Sequence, residues 1–87
     1  MLFSLSAYSG EKEYRYASFV VRWFYAGASA LEGRKGVVEV KKLFKGYDEV
    51  NTVKYDPDKI TVKKMEEYLK AANTYIQTLK NPVLQGD

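Results

Sequence analysis

Apolar and polar positions change period several times along this chain, and each change marks an element. Tyr14, Tyr16 and Ser18 alternate with Arg15, Ala17 and Phe19, which is the two-residue period of a strand. From Phe19 to Ala26 the β-branched and aromatic residues crowd together, a composition that favours strand. Yet positions 23, 27, 30 and 31 fall on one helical face, with polar Glu32 and Arg34 after them. A strand ending near Val21 and a helix from about Trp23 to Arg34 satisfy both signals. Gly27 inside that helix weakens it by about 1 kcal/mol relative to Ala. Gly33 and Gly36 end it.

The second half is clearer. Val37 to Phe44 reads as a strand, Lys45-Gly46-Tyr47-Asp48 as a turn, and Glu49 to Tyr55 as the partner strand. Asp56-Pro57-Asp58 is a turn in which Pro57 removes a ladder donor. Thr61 is placed to cap a helix over residues 62–72, whose apolar stripe is Val62, Met65, Leu69 and Ala72. Lys63/Glu67 and Glu66/Lys70 are opposite-charge pairs four apart on the wet side. Asn73 suits a left-handed stop, and Tyr75 to Leu79 reads as a last strand before Asn81-Pro82.

Strand, helix, strand, strand, helix, strand is the order of an α+β, ferredoxin-like two-layer sandwich (βαββαβ): an antiparallel sheet with two helices on one face. The inward phase of each element nominates Phe19, Leu31, Val37, Val40, Val53, Tyr55, Met65, Leu69 and Ile76 as core. Residues 10–87 form one such domain. Residues 1–9 read as a strand or ordered arm, because they lack the basic start of a signal peptide and are short for its apolar region.

Composition then narrows the chemistry. The 87 residues suffice for one small core, and 46% hydrophobic residues with 15% aromatics mark a globular chain. Fourteen Lys and Arg against eleven Asp and Glu, net +3, fit a solvated surface better than a nucleic-acid footprint. Zero Cys excludes disulfides, thiolate catalysis and thiolate metal sites, and zero His removes the commonest acid/base and metal ligand near neutral pH. Asp56-Pro57-Asp58 lacks the ligand count of a calcium loop. No cofactor and no metal are expected. No apolar run is long enough to span a bilayer. Compartment stays open: a cytoplasmic setting is favoured, with export following if residues 1–9 are the end of a signal peptide.

Two blocks carry a family resemblance. Tyr16-Ala17-Ser18-Phe19 through Gly36-Val37-Val38-Glu39-Val40, and Gly46 through Tyr55-Asp56-Pro57-Asp58-Lys59-Ile60-Thr61 to Leu69, resemble the peptide methionine sulfoxide reductase A family. Together they span most of the chain. Aligned on Gly36, the family's nucleophilic Cys falls on Trp23 and its aromatic neighbours fall on Phe24 and Tyr25. The family's active-site Glu falls on Glu49, Tyr47 stands near where a substrate Tyr would be, and Gln85-Gly86-Asp87 is similar to a family segment that ends in Asp. The segment between Val40 and Gly46 is far shorter than the family's. A weaker likeness is to heavy-metal-associated ferredoxin-like domains, whose Cys-x-x-Cys would fall near Val20 and Trp23, residues that bind no soft metal.

The family reaction needs a thiolate to attack sulfoxide sulfur and an acid to protonate its oxygen. Here the acid has a counterpart in Glu49 and the nucleophile has none. The resemblance therefore implies a shortened, degenerate reductase-type domain that is a non-catalytic binding or interaction module. Its surface would be Trp23, Phe24, Tyr25, Tyr47 and Glu49, its partner a protein or peptide. Against that stand ordinary core and hairpin roles for the aromatics and a plain solvated carboxylate for Glu49. Three other readings stay open: an active peptide-methionine (S)-S-oxide reductase whose cysteine is missing from this sequence only, a heavy-metal-associated-like domain without metal, and a single-strand nucleic-acid binder using Tyr14 and Tyr16. The last is disfavoured, since tyrosines on strands more often pack. An exposed sheet face and exposed edge strands also allow a homodimer.

Overall fold

The computed structural model describes residues 12–86; the arm expected over residues 1–9 lies outside the described residues, as does Asp87. Six elements follow in the expected order: β1 Arg15–Val21, α1 Phe24–Leu31, β2 Val37–Lys45, β3 Asp48–Tyr55, α2 Val62–Ala71 and β4 Tyr75–Thr78. The four strands form one sheet in the order β2-β3-β1-β4, and every neighbouring pair is antiparallel. This is the ferredoxin-like α+β sandwich.

Strand alternation explains which side chains meet the helices. Ala17, Phe19 and Val21 of β1 stand opposite Val53, Asn51 and Glu49 of β3. Val40 of β2 pairs with Val53 on the same face. Ala28 and Leu31 of α1 and Met65 and Leu69 of α2 close over this face, with Tyr55 and Ile60 completing the buried cluster. Phe19, Leu31, Val53, Met65 and Leu69 are wholly buried. Each such side chain contributes about 1.5–3 kcal/mol relative to exposure. Val37 only packs against the margin of the core.

α1 stops at Leu31, three residues before the predicted Arg34. Glu32 is already extended (φ −63°, ψ 139°), and the chain turns through Gly33 (φ 84°), closed by an Arg34 N–H donated to the Leu31 carbonyl. Gly36 (φ 94°) is needed where it stands, because a Cβ there would come within 2.9 Å of Lys59 and Ile60. Its carbonyl accepts the Asp56 N–H at 2.8 Å, which ties the start of β2 to the turn after β3. α2 behaves as its sequence suggests: the Thr61 hydroxyl accepts the Lys64 N–H at 3.1 Å, and Asn73 takes the left-handed conformation (φ 58°). The wet-side pairs differ, however. Lys64 meets Glu67 at 3.6 Å, while Glu66 accepts the Thr78 hydroxyl at 2.6 Å.

Two further expectations fail. Ile76 is half exposed (52%) and is not core. β4 is irregular at that point: Tyr75 pairs with Val21 and Gln77 with Val20, so Ile76 is the extra residue of a bulge. Tyr75 takes the place against the core instead. Second, the face away from the helices is not open at its centre. Ser18 and Thr52 lie on it, both buried, and their hydroxyls hydrogen-bond each other at 2.6 Å. The segment after β4 crosses this face. The Val83 N–H donates to Ser18 Oγ at 2.8 Å, and Thr52 Oγ1 donates to the Val83 carbonyl. Gly86 then lies beside Leu43 and Phe44 of β2.

Candidate functional site

The start of α1 gathers most of the residues that the family resemblance singles out. Trp23 is the N-cap, in extended conformation, and offers no side-chain cap to the helix. The cap comes from another element. Glu49, near the start of β3, stands opposite Val21 and Phe44 on the helix-side face, and its Oε1 accepts the Phe24 N–H at 2.8 Å. A carboxylate at this place satisfies one orphan amide and complements the positive end of the helix. Two residues on, Asn51 donates its Nδ2–H to the Phe24 carbonyl at 3.0 Å. β3 thus holds both ends of the Phe24 residue and sets where the helix begins.

Around this anchor the aromatics form a cluster. The Phe24 ring meets Tyr25 edge-on at 5.2 Å and Phe44 at 5.1 Å, and the Lys42 ammonium lies 5.5 Å over the Tyr25 ring. Phe24 is half-buried, whereas Trp23 and Tyr25 are each 71% exposed, and Phe44 is 48% exposed. Tyr47 stands fully exposed at the tip of the β2–β3 hairpin. The structure therefore brings Phe24, Tyr25 and Glu49 together but does not join them with Trp23 and Tyr47 in one pocket.

Trp23 faces the other side of the helix start. A cleft of about 570 Å³ there is lined by Arg22, Trp23, Ala26, Ala72, Asn73 and Thr74. Thr74, buried between α2 and β4, holds its walls: its carbonyl accepts the Arg22 N–H, and its hydroxyl accepts the Trp23 N–H and donates to the Trp23 carbonyl. A smaller hollow of about 110 Å³ lies on the opposite face between Tyr16, Glu39, Lys41, Thr52, Lys54 and Leu84. No thiol stands anywhere in the chain to attack a sulfur. Among the described residues no group of three or more metal-ligating acidic side chains converges, and no helix is long and apolar enough to cross a membrane.

Sequence reasoning missed Lys42, Phe44 and Asn51 as neighbours of this cluster. Alternation from Val40 carried a signal for the first two, because it puts Lys42 and Phe44 on Val40's face. A charged cluster with shifted pKa values lies at the far end of β3. The Lys12 ammonium meets Asp58 at 2.9 Å and Asp56 at 3.3 Å, and these hydrogen bonds raise its pKa above 10.5 despite some burial. Burial pushes the Asp56 carboxyl up, but the Asp58 N–H and Lys12 outweigh it and hold the carboxyl below 3.8.

Comparison with family models, with curated proteins and with solved structures finds no match. The fold and the chain's own geometry are what a functional reading has to stand on.

Proposed function

We propose that this chain is a non-catalytic binding domain on a scaffold resembling the peptide methionine sulfoxide reductase A family, and that it takes a protein or peptide at the aromatic end where α1 begins. The observation that carries this reading is the use made of Glu49. Its carboxylate is committed to the Phe24 N–H at 2.8 Å, while Tyr25 and Phe44 of the neighbouring cluster remain exposed, as do Trp23 on the other side of the helix start and Tyr47 at the hairpin tip. A site built for sulfoxide chemistry would need a thiolate beside a free acid, and here the acid is a helix cap. Large aromatics left in water are instead what interfaces are enriched in, since they bury much area with little loss of side-chain freedom.

The test uses the full chain against a displayed library of extended peptides, with binding of selected peptides followed by the fluorescence of Trp23, the single tryptophan. Selected peptides should shift that emission and should bind at least about tenfold more weakly to the Trp23→Ala/Tyr25→Ala chain. Failure to select any binder overturns the reading, as does reduction of a methionine sulfoxide peptide by the Cys-free chain with dithiothreitol above the reagent's own rate.

A further inference from the structure

We infer that the outer edge of β2 accepts an acidic, extended peptide as a fifth strand, which names the partner class for the binding module proposed above and rests on that reading. Among the described residues β2 is the first strand of the sheet order and pairs with β3 alone. The hairpin is closed by the two residues Gly46 and Tyr47 between the partners Lys45 and Asp48. In such a hairpin the flanking pair is mutually hydrogen-bonded, and bonding then alternates along the strand. The backbones of Lys45, Leu43 and Lys41 therefore turn inward to β3, and those of Val40, Lys42 and Phe44 turn outward. No turn, loop or cap hydrogen bond reaches these three amides from the described residues. A row of unpaired donors and acceptors of this kind is the template that β-strand addition uses.

Side chains on the edge say what would add to it. On the face away from the helices stand Lys41 and Lys45, and on the helix face Lys42 and Phe44, the latter in the Phe24–Tyr25 cluster. Lys41, Lys42 and Lys45 have no ion-pair partner among the described residues, although Asp48 sits directly across from Lys45. Glu39 lies at the far end and faces Lys54 across the ladder. A strand that alternates acidic and apolar residues fits both faces at once. Its carboxylates would lie along Lys41 and Lys45, and its apolar side chains along Phe44 and Tyr25. The chain's own tail reaches this edge at Gly86, beside the Phe44 backbone, and among the described residues no hydrogen bond joins the two.

The experiment is amide hydrogen exchange by NMR on the full chain, with a peptide of about seven residues alternating Glu and Val. Expected are exchange slowed by about tenfold or more at Val40, Lys42 and Phe44, and affinity that falls steeply with salt and by about tenfold in the Lys41→Glu/Lys45→Glu chain. The salt titration on the unaltered chain keeps the test valid if that variant folds poorly. Equal binding by a peptide with the same residues in separate Glu and Val blocks overturns the inference. So does a free chain whose three amides are already protected by its tail or by a second copy. If the lysines only guard the edge, no peptide slows these amides. Library binders that shift Trp23 while leaving the three amides unprotected would sink this inference and leave the binding module standing. No binders of any kind would remove both.

Discussion

Replacing Gly27 with Ala should destabilise the domain, against the ordinary expectation for a helix. Gly27 lies in the middle of α1, where Ala normally stabilises by about 1 kcal/mol. Here an added Cβ would lie 1.8 Å from Asn51 Oδ1 and 3.0 Å from its Cγ. A carbon and an oxygen rest at about 3.3 Å or more, so Oδ1 must retreat by about 1.5 Å. Asn51 is wholly buried, and its Nδ2–H is bonded to the Phe24 carbonyl at 3.0 Å. Its Oδ1 already lacks a hydrogen-bond partner. Overpacking costs about 1–3 kcal/mol. Losing the amide bond inside the protein costs about 1–3 more. After subtracting the helix gain, the net loss is about 1–5 kcal/mol, centred near 3. For a domain of this size that lowers the melting temperature by roughly 12–24 °C. Thermal and denaturant melts of the wild type, Gly27→Ala, Asn51→Ala and the double variant form a cycle. Asn51→Ala clears the space for the new methyl, so the double variant should recover stability, with a coupling of at least about 1 kcal/mol. A Gly27→Ala chain as stable as the wild type, or effects that simply add, would refute the reasoning.

Three further outcomes follow from the same structure. Leu69→Ala should cost about 2–5 kcal/mol because Leu69 is wholly buried between α2 and the sheet, whereas Ile76→Ala, at the exposed bulge, should cost less than about 0.5 kcal/mol; denaturant melts that reverse this order would show the bulge to be misplaced. Trp23→Cys puts a thiol at the N-cap of α1, so its pKa should fall below the ordinary value of about 8.5, and adding Glu49→Gln should lower it further by removing the neighbouring carboxylate; alkylation rates against pH that give an ordinary value in both chains would count against the geometry. Asp56, held below 3.8, contributes stability that is present above that pH and lost as pH falls through its folded value, while Lys12, raised above 10.5, contributes stability present below that pH and lost as pH rises through its folded value. Melting temperature against pH should thus lose part of its acid slope in Asp56→Asn and part of its alkaline slope in Lys12→Met, and unchanged slopes would refute the linkage.

Much of this protein was legible along the chain because the signals are local. The two-residue period of Arg15–Val21, the stripe Val62-Met65-Leu69, the Thr61 cap and the Asn73 stop depend on neighbours within a turn or two. Such patterns determine element type, order and, for regular strands, the buried phase. They also place Trp23, Phe24 and Tyr25 at the start of a helix. What they do not carry is register between distant segments. Alternation places Ile76 in the core because it assumes an unbroken ladder, and one extra residue against Val20 and Val21 reverses the phase. Gly27 reads as a weakness in its own helix until β3 is laid against it and Asn51 fills the space a side chain would need. Glu49 is a hairpin carboxylate in the sequence and a helix cap in the fold, since the partner amide comes from a residue 25 positions away. The closing of the far sheet face by Val83 likewise depends on two hydroxyls, Ser18 and Thr52, that only strand pairing brings to 2.6 Å. Local periodicity encodes which way a residue faces. Only the tertiary structure decides what stands opposite it, because that follows from the packing of segments whose contacts leave no trace in their own sequence.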